Sequence, residues 1–263
     1  MIDALMGGVT DPLILVGLIL AALLAGFVDS IVGGGGLILI PAILIGLPAA
    51  PVTTALATNK FAALFGTTTA AITYQRKYRT PARQLLPYAL LAGALSVFGA
   101  LTASSLDPAI LRPIIIVAII AVAIFLLARP QFGKEPERSV ATFPRLIATF
   151  VMIGAIGFYD GFFGPGTGMF LIITLSALLG ASFLESASTA KVINCATNVG
   201  ALAVFMTVSH VIWGLAVILA LANVCGAFIG SRLVLTKGTA LIRIGMFAII
   251  SVLVVKLLID QFS

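Results

Sequence analysis

The chain has 263 residues, 61% of them hydrophobic and 9% charged, with a mean hydropathy of +1.22. A soluble domain has roughly a quarter of its residues charged, so a water-exposed globule is excluded. The net charge of +6, from 15 basic and 9 acidic residues, does not point to nucleic acid as a partner. The basic residues gather in short connections between apolar runs, as in the cytoplasmic loops of membrane proteins.

Runs of roughly 20 apolar residues, enough to cross ~30 Å of hydrocarbon, recur along the chain. The stretch Met1 to Asp11 holds no Lys or Arg and the runs keep returning, so a removable signal peptide is not expected. In chain order, a spanning helix is predicted over Pro12 to Val32, then a glycine break at Gly33, Gly34, Gly35 and Gly36. A short apolar piece follows, Leu37 to Gly46, about half a bilayer long at 1.5 Å per residue. A longer segment, Pro51 to Tyr74, carries Lys60, and helices over Ala82 to Ser104 and Pro108 to Ala128 complete the first half. The second half repeats the order: Arg145 to Phe163, a glycine loop, the short piece Met169 to Leu179, and Ser182 to Val208 with Lys191. Helices over Ile212 to Leu235 and Thr239 to Ile259 close it.

The repetition is explicit in the residues. GFVDSIVGGGG begins at Gly26 and GFYDGFFGPGTG at Gly157, and the offset of 131 that places Asp29 on Asp160 also places Thr58 on Thr189, Lys60 on Lys191, Gly99 on Gly230, Ala109 on Ala240 and Arg112 on Arg243. The expected fold is therefore an all-α integral membrane protein of two repeats, residues 1–128 and 145–263, joined by a linker over 129–144. Each repeat would have about four spanning helices and one glycine-led half-helix. Loop charge suggests that the repeats are inverted. Arg76, Lys77, Arg79 and Arg83 fill one connection of the first half, and the equivalent connection of the second holds only His210. The next connection reverses the bias, with Arg232, Lys237 and Arg243 in the second half. The linker would then be cytoplasmic and both termini outside, although Lys256 runs against this.

Glycine runs inside a membrane cannot be ordinary helix, since each glycine costs about 1 kcal/mol against alanine. Unwound backbone at that depth needs protein or a wet cavity beside it. The amides that open the following half-helix suit an anion. Gly33, Gly34, Gly35 and Gly36, and Gly164, Gly166, Thr167 and Gly168 in the second loop, are the candidate binding elements; close packing of helices is the competing explanation. Lys60 and Lys191 would supply positive charge, and Asn59, Asn194 and Asn198 uncharged hydrogen-bond groups. Asp29 and Asp160, each 31 residues before a lysine, would tune the lysines or exchange protons, or form an ion pair holding each half together. An intramembrane aspartyl protease would need two acids sharing a proton, which a lysine beside each acid opposes. A non-transporting scaffold would leave the loops and buried charges without a use. Cys195, Cys225 and the single His have no ligand spacing, so small buried cysteines, no disulfide, no metal and no cofactor are expected. Trp213 and Tyr88 are expected at headgroup level.

The runs GFVDSIVGGGGLILIPA and ALATNK, with GFYDGFFGPGTG and SRLVLTKG in the second half, resemble the TauE/SafE family, also called the toluene-sulfonate uptake permease family, in its YfcA-type branch. The resemblance covers essentially the whole chain. It implies a multi-pass carrier of the bacterial inner membrane for sulfite, sulfonates or related anions, in several members an exporter, driven by a proton or ion gradient. No phosphate loop of the form GxxxxGK[ST] is present, in keeping with transport without ATP. The expected partners are a small anionic substrate, the lipid bilayer and, as one admissible assembly, a second copy in a homodimer.

Overall fold

A computed structural model describes residues 7–9, 11–127 and 142–237. The helix expected over Thr239 to Ile259, Ala240, Arg243, Lys256 and most of the linker lie outside the described residues. The described secondary structure is entirely helical. In chain order the helices are α1 (Pro12–Val32), α2 (Gly36–Gly46), α3 (Val52–Tyr78), α4 (Ala82–Ser105), α5 (Pro108–Leu127), α6 (Phe143–Phe162), α7 (Thr167–Leu179), α8 (Phe183–Val208) and α9 (Trp213–Lys237). Five of them, α1, α4, α6, α8 and α9, are long and apolar enough to cross a membrane. Helix α3 has the length, at 27 residues, but its polar face of Thr58, Asn59, Lys60 and Thr67 is buried in protein.

Local chemistry sets the ends. Asp11 caps α1 by accepting from the Leu13 N–H at 2.8 Å, with Pro12 in the first position, where its missing N–H costs nothing. Ser182 and Glu185 form a reciprocal capping box on α8. Gly33 ends α1 in the left-handed region at φ 82°, and the chain turns back: Gly46, at the end of α2, packs on Ile14 and Leu18 near the start of α1. Helix α2 is thus re-entrant. Gly166 at φ 80° opens α7 in the corresponding place.

Packing exchanges elements between the halves. Helix α4 lies on α6 and α8, and α9 lies on α1 and α3. Small residues let these backbones touch: Gly157 and Gly161 seat on Ala92 and Ser96 of α4, while Gly226 and Gly230 seat on Leu23, Phe27 and Ser30 of α1. The order of these contacts makes α4 parallel to α6, and α9 parallel to α1. Ring contacts between Phe61 and Trp213 and a Lys77 Nζ bond to the Leu235 carbonyl make α9 parallel to α3 as well. Helices α3 and α8 are antiparallel. Ser209 Oγ donates to Thr53 O at 3.5 Å, and Thr68 Oγ1 meets Cys195 Sγ at 3.6 Å.

The outer surface is apolar, with Leu13, Leu90 and Val117 among many exposed aliphatic side chains. Cys195 is partly buried, but Cys225 is exposed on α9, against the expectation that both are buried. Its helix turns that side toward lipid, where a small thiol is tolerated. Trp213 is exposed at the start of α9, as a headgroup-level residue would be, and Tyr88 packs on Phe150 with centroids 4.8 Å apart.

Candidate functional site

The four intramembrane charges pair across the halves. Lys60 of α3 reaches Asp160 of α6, with Nζ 2.8 Å from Oδ2, and Lys191 of α8 reaches Asp29 of α1, also at 2.8 Å. The expected pairing of Asp29 with Lys60 and of Asp160 with Lys191 is thereby corrected. The physical reason lies in the packing. The lysine helices cross antiparallel, so each lysine is delivered to the glycine loop of the opposite half.

The surroundings of the two pairs differ. Asp160 and Lys60 are sealed, with 3% of either side chain exposed. Thr167 Oγ1 donates to Asp160 Oδ1 at 2.7 Å. Asp29 keeps 14% of its side chain exposed. Its carboxylate accepts from Lys191 Nζ, from Thr67 Oγ1 at 3.3 Å and from the Gly35 N–H at 3.4 Å, and Lys191 also bonds the Asp29 carbonyl. The half-helix N-terminus and the lysine expected to hold an anion are therefore occupied by the protein's own carboxylate. Lys191 is fully buried, and an isolated ammonium there would cost several kcal/mol, so the carboxylate is what makes its burial tolerable.

The two glycine loops meet where the halves cross. Gly33 and Gly168 touch backbone to backbone, and a Cβ on either would overlap the other. Gly36 faces Pro165. Gly164, at φ 88°, sits against the second ion pair: a Cβ there would stand 2.6 Å from Asp160 Oδ1 and 2.8 Å from Lys60 Nζ. Gly35 is equally hemmed, its Cβ position being 2.8 Å from the Ala25 carbonyl and from Asp29 Cβ. Gly34 is roomier.

Lys60 and Lys191 each lie eight positions into their antiparallel helices, of 27 and 26 residues. At 1.5 Å per residue each lysine's backbone is about 12 Å from its own end of a helix about 40 Å long, so the two backbone positions stand roughly 15 Å apart along the helices. The glycine crossing lies among them. Of the expected hydrogen-bonding residues, Asn59, Asn194 and Asn198 are all buried. Asn194 Oδ1 accepts from Thr197 Oγ1 in its own helix at 3.2 Å, so its carboxamide is partly committed. Thr58 Oγ1 accepts from the Ile212 N–H at 3.3 Å and fixes the start of α9.

Three contributors escaped the sequence reading. Thr67 serves Asp29, Tyr74 donates to the Ser30 carbonyl at 2.8 Å, and Tyr159 donates to the Pro165 carbonyl at 2.6 Å, holding the second loop. A signal for two of them was present. Lys60, Thr67 and Tyr74 recur every seven residues, which places them on one face of a helix.

Spanning helices, re-entrant half-helices and ion pairs buried at their tips describe a multi-pass membrane carrier. The profile of the family described as "Sulfite exporter TauE/SafE" matches residues 18–257. A "Probable membrane transporter protein ORF9" of Sinorhizobium sp is 38% identical over 244 residues, 92% of this chain and 92% of that protein. A "Probable membrane transporter protein YfcA" of Escherichia coli K12 is 37% identical over 256 residues, 95% of this chain and 92% of the relative. A "Probable membrane transporter protein" of Haemophilus influenzae is 33% identical, covering 90% and 91%. No solved structure matches the chain. The chain belongs to the TauE/SafE family of membrane transporters.

Proposed function

We propose that the protein is a secondary carrier of a small oxyanion such as a sulfonate or sulfite, in the bacterial inner membrane, working by alternating access between two inverted halves. The observation that carries this is the placement of Asp29 on Lys191, Thr67 and the N–H that opens α2. Ammonium, hydroxyl and a half-helix N-terminus together form an oxyanion site, and the aspartate stands in it as an internal substitute for the ligand. Asp160 meets an ammonium and a hydroxyl, those of Lys60 and Thr167, at the second depth.

On this reading an anion enters by displacing a carboxylate from its lysine. The displaced carboxylate takes up the proton that accompanies the anion. Proton and anion therefore bind together. The family description supports export, driven by an outward gradient of the anion itself. Uptake is the alternative, and joint binding of proton and anion favours it under an inward proton gradient. The two acids each face a lysine, which supports a carrier over a proton-sharing protease dyad.

The test is flux in proteoliposomes loaded with methanesulfonate and a pH-sensitive dye. An outward sulfonate gradient is expected to carry protons out and raise the internal pH. Asp29→Asn should lower the number of protons carried per anion, a ratio that does not depend on how much folded protein survives the loss of Lys191's partner. Flux with no proton movement in the unmodified protein would exclude the displacement mechanism, and absence of flux with any sulfonate or sulfite would exclude the substrate class.

A further inference from the structure

A cavity of about 670 Å³ opens at the turn between α3 and α4 and is walled by the starts of α4, α6 and α8 and the end of α7. Arg79 and Arg83 stand at its rim, and both are exposed. Arg79 is held there by a left-handed backbone at φ 37°, the one positive value outside glycine among the described residues. Neither arginine belongs to the two ion pairs described above. Below the rim the walls become aromatic and aliphatic, with Tyr88, Phe150 and Leu179. The floor is apolar: Leu175 belongs to a cluster with Ile153 and Ile172. Neither lysine of the ion pairs nor either glycine loop lines this space, which reaches Thr189, two residues before Lys191.

Glu185, whose carboxylate accepts from Ser182 in the α8 capping box, also lines the space with Ser186 and Thr189, so two arginines stand against one acid. A net cationic rim over a largely apolar wall fits an amphipathic anion, and the location selects its source. The cavity lies at the ends of membrane-length helices, and its flank continues onto exposed Leu86, Leu90 and Ile147, where an acyl chain can run. The corresponding cavity at the turn between α8 and α9, about 480 Å³, has His210 where this one has Arg79, and no Lys or Arg lines it. Charge, size and the aromatic wall of Tyr88 and Phe150 distinguish the first hollow from the second.

We propose that this cavity binds an anionic phospholipid from the leaflet at the Arg79 end, its phosphate held by Arg79 and Arg83 and an acyl chain laid along Tyr88 and Phe150. Guanidinium groups grip phosphate through paired hydrogen bonds, and basic pockets at helix ends select anionic headgroups. This goes beyond the transport reading and does not depend on it.

Native mass spectrometry of the full chain, released from detergent with defined lipids, tests the assignment. Phosphatidylglycerol is expected to bind at least about tenfold more tightly than phosphatidylcholine with the same chains, since each basic contact contributes about a factor of five. Arg79→Gln with Arg83→Gln should bring the two lipids level, and Arg232→Gln, on α9 outside the cavity, should leave the preference intact. Should the double variant not survive purification, Arg83→Gln alone must lower the preference at least threefold. Equal binding of the two lipids by the unmodified protein, or a preference that survives the loss of the arginines, would overturn the proposal. Displacement of phosphatidylglycerol by millimolar inorganic phosphate would also overturn it, by marking a free-anion site.

Discussion

The crossed ion pairs make a claim that single substitutions cannot isolate. Removing Lys60 leaves Asp160 buried with Thr167 as its polar partner, and removing Lys191 leaves Asp29 with Thr67, the Gly35 N–H and a partly exposed side. A lone buried charge costs about 3 to 5 kcal/mol when its partner is deleted, so each single change conflates destabilisation with lost function. Double-mutant cycles separate them. Unfolding of the purified protein in detergent should give a coupling above about 1 kcal/mol for Lys60→Ala with Asp160→Ala, and for Lys191→Ala with Asp29→Ala. The sealed pair should couple more strongly, because the exposed side of Asp29 lets water compensate it. Coupling between Asp29→Ala and Lys60→Ala should be near zero; strong coupling there would restore the pairing within halves. The four charged residues were legible in the sequence as rare intramembrane ionisable groups. Their partners were not, because the equal spacing of acid and lysine in the two halves records duplication and carries no information on which helices cross.

Among the elements, the helix limits were largely readable. Pro12 to Val32 coincides with α1, because an Asx cap and proline start it and glycine ends it. The segment expected to stop at Tyr74 continues to Tyr78. Arg76 and Lys77 occupy its last turn, where cations favour the dipole's negative end, so a charge run that looked like a loop is helix. The glycine breaks were visible, but the close contact of Gly33 with Gly168 was not, since it joins loops from different halves. This contact divides the glycines into two groups. Gly33→Ala combines a left-handed residue with overlap against backbone and should destabilise by about 2 to 5 kcal/mol. Gly17 of α1 has open space where a Cβ would stand, so Gly17→Ala should be neutral or stabilise by up to about 1 kcal/mol. Thermal unfolding of both variants checks the contrast, and equal effects would mean that the loops are not in contact.

At the scale of the whole molecule, the directions of the helices support inversion. Helix α9 is parallel to α1 and α3, and α4 is parallel to α6. A turn of three residues, Arg79 to Pro81, joins α3 to α4, and two membrane-length helices so connected must cross the bilayer in opposite senses. Helix α6 then opposes its counterpart α1, and α8 opposes α3, as the contacts of Thr53 with Ser209 and of Thr68 with Cys195 require. Loop charge had suggested the same arrangement from the sequence, though it said nothing of the exchange in which α4 and α9 each pack on the other half. An inverted arrangement would place the α3–α4 turn and the α8–α9 turn on opposite faces of the membrane. In a background with Cys195 and Cys225 replaced by serine, Thr80→Cys in cells should react with a membrane-impermeant maleimide only after permeabilisation. His210→Cys should react in intact cells. Labelling of both cysteines from the same side would make the repeats parallel. The pairs Asp29–Lys191 and Lys60–Asp160 could not then face opposite sides of the membrane, and alternating access through them would lose its geometric basis.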